Sequence, residues 1–579
     1  MLDPKTLHDI LQAHVTQARP RHVEWDRRRA MYQCKPWGEG DGQLATESGA
    51  LFAHVDTMVA SVVPPNPQIT CKPRRMSLRE QATYREGLIN DAFIRGNLDL
   101  ALWKEATHAA VYPRGVLKVV WNMLRRRPEY NIVDPRFFFF DEAAAKWEDV
   151  RYVIEVTPLT EADFASRVRK PRKPDRVYDG EVARRAQFGS FPAWLKDTTT
   201  GRAELEARKV LKWTVVFEVF DFSTPRGRYY HFLENEKLPL FAGELPYLFV
   251  RNPYVPLVFN DDLETIGGLG DSQIIENPVN RRDELLTLRL RHAQSSIPVT
   301  LVNEEAVSNV EEAEDQLANA TSPGDMVRLK LAQGYTMSDA IGQTPTSVLS
   351  PSFDLADQAL EREILFRLGM PGYARGMPSG SDLATEVVLI DEVLRTRLGH
   401  RTKLVEKVIK AAARYTFGLY EEFLGFDDIL PVRLGGRRYL EIHRQHLGAR
   451  NPTLAERTLN EGYLLEEPLE IDYEVLPFSP LENNKTTQLA RIRQAKDLLY
   501  GNVVVDQVKL SRWVVDLLDG PEDLVIEAPA APSAPLGPPT QGDTLRGGGL
   551  PLSISPEAIG LGARPGMAGG PGFPTPEAK

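Results

Sequence analysis

Gly267-Gly-Leu-Gly-Asp-Ser272 comes closer to a phosphate cradle than any other stretch of this chain. Glycines ahead of a helix leave backbone N–H groups free to meet an anion, although the same residues also make a flexible hinge, which is the simpler reading. A nucleotide loop of the common kind needs Gly-x-x-x-x-Gly-Lys-Ser/Thr. The sequence lacks that pattern, as it lacks His-Glu-x-x-His and Gly-x-Ser-x-Gly. His443 and His446 stand three apart, so two imidazoles could share a metal. No third ligand accompanies them, and they read as ordinary surface or core histidines. Asp427-Asp428 and Glu466-Glu467 carry the charge to hold a divalent ion, but solvated loop carboxylates account for them. Arg125-Arg-Arg127 can touch phosphate, and a charged hairpin tip is the better reading. Glu304, Glu305, Glu311, Glu312, Glu314 and Asp315 gather on one short segment. They form either a solvated face or a surface that receives basic patches of another protein. No catalytic set assembles from these groups, so no catalytic residue, cofactor or metal is assigned and an enzyme is not expected.

The elements that must carry these residues change character along the chain. Residues 1–60 read as helical, with Leu7, Ile10, Leu11 and Val15 on one face. Pro64-Pro-Asn-Pro67 then turns the chain into the alternating strand Gln68-Ile-Thr-Cys-Lys72. After a helical stretch at 76–112 come short β-branched and aromatic runs: Gly115–Trp121, Tyr130–Val133, Phe137–Phe140 and Val150–Val156. The four phenylalanines are too short a run for a membrane and fit a buried or edge strand. Lys212–Phe220 and Arg228–Leu233 read as a hairpin. Between them and the earlier strands, 165–210 is basic, proline-rich and aperiodic, the pattern of a mobile surface insertion.

From Asp271 the period is helical again to about Ser295, with Asn277-Pro278 as either a cap or a kink. Ile297–Val302 and Met326–Lys330 read as strands, Glu304–Asn319 as a short acidic helix, and Leu355–Leu368 as a helix ended by Gly369. Residues 371–381 hold five Gly or Pro, so the segment reads as a loop with little to stiffen it. Ser381 or Asp382 then caps a helix marked by Val387, Ile390, Leu394, Leu398, Val405, Val408, Ala412, Tyr415, Leu419 and Phe423. About 40 residues at 1.5 Å each give roughly 60 Å, a length suited to spanning a large assembly. Beyond Pro431 the pattern is mixed, with a strand at Leu469–Val475 and helices at Leu481–Tyr500 and Asp506–Leu518. In 528–579, Gly and Pro supply 22 of 52 positions, too few apolar groups remain to offset ordering entropy, and disorder is expected.

Composition bounds the rest. The chain has 579 residues and a formal net charge of −10. That argues against a protein whose main task is gripping nucleic acid by its phosphates, though not against one that lets DNA slide past. Cys34 and Cys71 cannot build a disulfide framework and fit no zinc pattern, so a reducing compartment is the default. No signal peptide or membrane-spanning run is read in the sequence.

The order of parts, with a series of local phrases, resembles the portal proteins of tailed bacteriophages. The phrases are Ala109-Ala-Val-Tyr-Pro-Arg-Gly-Val-Leu-Lys-Val-Val120, Ile132-Val-Asp-Pro135, Leu269-Gly-Asp-Ser-Gln-Ile-Ile-Glu276, Ser322-Pro-Gly-Asp-Met-Val327, Phe366-Arg-Leu-Gly-Met-Pro371, Ala384-Thr-Glu-Val387 and Val475-Leu-Pro-Phe-Ser-Pro480. Together they run over about residues 20–525. The resemblance implies an α+β multidomain subunit of a ring, usually of about twelve copies. Residues 1–265 would form the α/β part of the wing, 266–296 and 354–369 the two stem helices, and 297–353 a small α/β clip. Residues 370–383 would form the tunnel loop, 384–429 the long wing helix and 430–527 the inner wing and helical crown. The 528–579 tail and the 165–210 insertion have no counterpart in the family.

The implied function is a channel at one capsid vertex through which double-stranded DNA is packaged and ejected. DNA would pass without tight binding, since a ring of such chains carries on the order of −100 charges. The implied partners are other copies of the chain, the terminase motor, head–tail adaptor and tail proteins, and the major capsid and scaffolding proteins. A membrane is not among them. The implied place is the virion, after assembly in the host cytoplasm. Tyr373, Arg375 and Met377 would reach DNA from the tunnel loop, and the six acids of 304–315 would receive the motor or the adaptor. The rival readings are another capsid or tail structural protein, or a packaging-associated nuclease or hydrolase.

Overall fold

The computed structural model describes residues 3–35, 47–169, 177–189, 211–224, 226–295, 350–369, 384–425, 427–434, 438–448, 450 and 471–475, with short pieces between 300 and 343. They form a mixed assembly of helices and antiparallel sheets.

The first helix, α1 (Pro4–Tyr32), starts on a proline, where a missing N–H costs least. Leu7, Leu11, Val15 and Ala18 recur on its inner face. They lie on one side of a five-stranded antiparallel meander of β4 (Phe138–Phe140), β5 (Tyr152–Thr160), β6 (Trp213–Asp221), β7 (Arg228–Leu233) and β8 (Phe241–Gly243). Because side chains alternate across a strand, Phe139, Ile154 and Phe217 face α1. Their neighbours Phe138, Phe140, Val153 and Phe220 face the other way.

That second side meets a three-stranded sheet of β2 (Gly115–Asn122), β3 (Arg127–Val133) and β9 (Tyr254–Leu257), ordered β3-β2-β9. Phe138–Phe140 is therefore both an edge strand and buried, while Phe137 ends a short 3-10 turn and is half-buried. Lys118 of β2 reaches the second sheet and sits between Glu155 and Glu218, which are direct cross-strand partners on β5 and β6. Burial pushes Glu218 up, but Lys118 and His231 outweigh it and hold the carboxyl below its usual range.

The stretch 165–210, expected to be a mobile surface insertion, is described only in part. Residues 170–176 and 190–210 lie outside the described residues. The remainder folds onto the sheet as α5 (Glu161–Arg167) and α6 (Gly180–Ala183), with Tyr178 and Phe164 buried against Leu159, Val216 and Leu233. A few large apolar residues in a basic, proline-rich setting are enough to fix it, and no periodicity announces them.

The main core is helical. It gathers α2 (Ala50–Val62), α3 (Arg79–Arg95), α4 (Leu98–Val111) and the outer side of β2. Across it runs the 40-residue helix found near the end of the described chain, Ala384–Phe423. Val405, Val408, Ala412 and Leu419 are buried as the spacing predicts, while Leu398, Tyr415 and Phe423 are half-buried. Ile409, Ala413, Phe417 and Tyr420 are buried too, so the apolar face is broader than one stripe. Side chains of 384–397 lie outside the described residues.

Strand β1 (Ile69–Pro73) takes Ile471–Val475 as its antiparallel partner, Ile69 opposite Val475 and Cys71 opposite Tyr473. Its other edge is met by side chains of α3: Asn90 receives the Ile69 N–H at 2.9 Å and Glu86 the Cys71 N–H at 2.9 Å. Part of 430–527 thus shares a core with residues 69–95. The expected helices at 481–500 and 506–518, and the 528–579 tail, lie outside the described residues.

Candidate functional site

Two helices stand as an antiparallel hairpin and bracket the segment 297–351: α7 (Asp271–Ser295) and α8 (Ser352–Leu368). Charged pairs zip them together. Arg289 meets Asp354 at 2.8 Å, Arg282 meets Asp357 at 2.7 Å and Glu361 at 3.6 Å.

Pro278 lies inside α7, so the helix runs through it and Asn277 is not a cap. A proline there removes the N–H that would serve the carbonyl four residues earlier. That carbonyl belongs to Ile274, and Arg367 of α8 donates to it at 3.1 Å. The bond lost within α7 is replaced from its partner helix.

The base of the hairpin is a buried ionic knot. Asp271, the first residue of α7, is 0% exposed. Arg401 of the long helix grips both carboxylate oxygens, at 2.7 and 2.8 Å. His54 of α2 meets Oδ2 at 2.8 Å, and Asn260 donates to Oδ1 at 2.9 Å. Burial disfavours the charge, but Arg401 and His54 outweigh it and hold the carboxyl far below the usual carboxylate range. Next to it, Ser272 donates its hydroxyl to the Val111 carbonyl at 2.5 Å.

The glycines ahead of Asp271 make room for this. Gly268 has φ +76°, and a Cβ there would lie 2.3 Å from Val258 Cγ1. A Cβ on Gly270 would lie 2.8 Å from the Tyr112 carbonyl oxygen. The expectation of a flexible hinge at 267–272 is corrected by this packing. The segment is a close-packed turn, and the N–H groups of Gln273 and Ile274 at the helix start are taken by the Gly270 carbonyl.

The outer surface of the hairpin is apolar in places. Leu288 is 52% exposed, Leu290 44%, Leu355 66% and Phe366 86%. Each is a side chain that water disfavours and that nothing among the described residues covers.

Between the helices, Thr300–Val302 pairs antiparallel with Ile341–Gln343. Of the acidic set, Glu305, Glu311, Glu312 and Asp315 are exposed, with Ala306 and Val307 buried beside them. Asn309 donates to Glu312 at 3.3 Å. Glu304 and Glu314 lie outside the described residues, as does the expected strand at 326–330 apart from Lys330. Tyr373, Arg375 and Met377 lie outside them as well, in a segment bounded by Gly369, left-handed at φ +60°, and by Ala384. His443 and His446 belong to a short turn in which His446 Nδ1 accepts the His443 N–H at 3.3 Å. Asp428 pairs with Arg126 at 2.5 Å. Among the described residues no three His, Cys, Asp or Glu gather to hold a metal ion, and no helix is long and apolar enough to cross a membrane.

Sequence reasoning missed the Asp271–Arg401–His54–Asn260 knot. Its one trace is Gly-Asp-Ser at 270–272, whose partner lies 130 residues away. No protein-family profile and no curated protein matches the chain.

Proposed function

We propose that the chain is the subunit of a portal-type ring, a passive channel at one capsid vertex through which double-stranded DNA is packaged and released. The observation that carries this reading is the helix hairpin α7–α8. It brackets a small strand-containing segment, is clamped at its base to a 40-residue helix, and is separated from that helix by 370–383. The uncovered Leu288, Leu290, Leu355 and Phe366 fit such an assembly. In a ring each hairpin lies against the next copy, and a heterologous contact repeated by rotation closes on itself. In this reading the exposed acids of 304–315 receive basic surfaces of the packaging motor or adaptor, Tyr373, Arg375 and Met377 face the DNA, and ATP is hydrolysed by a separate chain.

Native mass measurement with negative-stain imaging tests the reading. A ring with a central hole and a mass of about 0.8 MDa, for about twelve copies of 65.0 kDa, is the expected result. A stable monomer at micromolar concentration overturns it. In assembled particles, reversing Glu311, Glu312 and Glu314 to Lys should reduce packaged, nuclease-protected DNA and leave rings intact. Replacing Tyr373, Arg375 and Met377 together with Ala should change the amount of DNA packaged or retained.

A further inference from the structure

A cavity of about 390 Å³ opens between the long helix, the outer edge of β9 and the segment 147–150. Small-ligand sites span about 300–1,000 Å³, so this one is large enough for a ligand. Its wall on the helix side is a single face, on which Leu404, Val408, Ala411 and Tyr415 recur at steps of three and four. Opposite stand Trp147 and Tyr254, and Phe222 completes the apolar lining. The indole is fixed in place, since Trp147 Nε1 donates to the Tyr254 carbonyl at 3.2 Å.

The strand edge along the cavity offers no pairing. Val119 donates to the Pro253 carbonyl at 2.9 Å, and bonded positions alternate in an antiparallel pair, so Val255 and Leu257 also face β2. Tyr254 and Pro256 turn their backbone groups the other way. The Tyr254 N–H is taken by Asn252 Oδ1 at 3.2 Å and its carbonyl by Trp147, while Pro256 has no N–H. An extended peptide therefore gains no ladder by lying beside β9, and recognition falls to side chains.

The charges lie at the rim. Lys407 and Arg414, about two turns apart on the long helix, are exposed and have no ion pair or hydrogen bond among the described residues. Asp472 acts on Arg414, but Arg74 already holds that carboxylate through two bonds at 2.9 Å. Arg251 also lines the cavity and is engaged. Its guanidinium donates to the Phe222 and Thr224 carbonyls, and the buried Asp221 acts on its charge. Glu148 is the carboxylate of the lining. Set against Lys407 and Arg414, it leaves a single positive charge over.

We propose that this cavity binds a small aromatic carboxylate, its ring between Trp147 and the apolar helix face and its charge at Lys407 and Arg414. Aromatic side chains favour offset or edge-on ring partners. Lysine and arginine lay their stems along apolar surface and keep their charged ends in water, so the head group meets them at the mouth. A carboxylate brings the one negative charge that the rim leaves unmatched, where a phosphate monoester would bring about two. The proposal stands on residues of one copy and does not require the chain to form a ring.

Titration calorimetry on the full chain tests it with three probes: naphthoate, naphthalenemethanol, which has the ring without the charge, and acetate, which has the charge without the ring. Naphthoate should bind saturably and at least about tenfold more tightly than the alcohol, as expected from a charge-assisted hydrogen bond. Acetate should not saturate. Lys407→Gln combined with Arg414→Gln should lower naphthoate to the affinity of the alcohol. Ala411→Trp, which fills the cavity from the helix, should abolish binding of both. Lys237→Gln, an exposed lysine beside Asp9 of α1, should bind as the wild type does. Thermal unfolding of each variant confirms that the fold is kept. Lys407 and Arg414 are exposed, so the double variant tests the charge even where Ala411→Trp does not fold. No saturable binding of naphthoate, equal affinity for the alcohol, an unchanged affinity in the double variant, or an equal loss in Lys237→Gln overturns the proposal.

Discussion

Asp271→Asn removes one charge from a knot that is otherwise closed to water. Arg401, 7% exposed, would face an amide where it now grips a carboxylate through two hydrogen bonds. Removing one member of a buried pair costs about 3–5 kcal/mol, because the other is left uncompensated. Asparagine keeps one oxygen that can still accept from Arg401 or His54, so a loss of about 3 kcal/mol, the lower end, is expected. Asp271→Leu with Arg401→Met removes both charges and should cost less than the single change, although His54 and Asn260 lose a partner. The assay is urea unfolding at pH 7 and fixed protein concentration.

A pH arm checks the sign. The folded carboxyl of Asp271 is held below its unfolded value, so its stabilisation is complete above about pH 4 and is lost as pH falls below that. The wild type should therefore lose stability more steeply than Asp271→Asn between about pH 4 and pH 2. A cost below about 1 kcal/mol for Asp271→Asn, or equal acid slopes in the two proteins, refutes the reasoning.

Glu105 is fully buried with no cationic partner among the described residues, and burial holds its carboxyl well above the usual range. A raised acid favours the fold less as pH rises past its unfolded value, so Glu105→Gln should match the wild type near about pH 4 and exceed it by at least about 1 kcal/mol at pH 8; parallel pH curves would sink this. Arg367→Met should cost about 1 kcal/mol where Pro278 is present, and nearly nothing beside Pro278→Ala, which restores an N–H to the Ile274 carbonyl. Equal costs in the two backgrounds would show that Arg367 does not act through that carbonyl. Gly268→Ala combines a left-handed φ with a 2.3 Å approach to Val258 and should cost about 1–3 kcal/mol in urea unfolding. A change within about 0.5 kcal/mol of zero would contradict it.

What could be read in the sequence was what neighbours in the chain decide. The long helix was legible because its apolar spacing persists for forty residues, and its structure runs over Ala384–Phe423. The hairpin of Lys212–Phe220 with Arg228–Leu233 was legible because β-branched and aromatic runs flank a short turn, and the strands pair as expected. The short β8 and β9 were missed, since Phe241–Gly243 and Tyr254–Leu257 are three and four residues long and acquire strand form only by pairing with β7 and β2. The hairpin of Ile429–Leu434 with Arg438–His443 was missed for want of clean alternation. The candidate site was the least legible part. Asp271, Arg401 and His54 are ordinary residues in their own segments and acquire meaning only when three helices meet.

The pairing of β1 with Ile471–Val475 sets a timetable for the nascent chain. Arg74 and Asp472, bonded at 2.9 Å across this pair, are 398 residues apart in the sequence. At about 5–20 residues per second a ribosome needs roughly 20–80 s to supply the second strand after the first. During that interval α3 can satisfy one edge of β1, while the other edge stays open to any extended segment nearby. Synthesis that stops short of residue 471 leaves that edge open for good. The danger of mispairing at this edge is therefore greatest while the chain is being made.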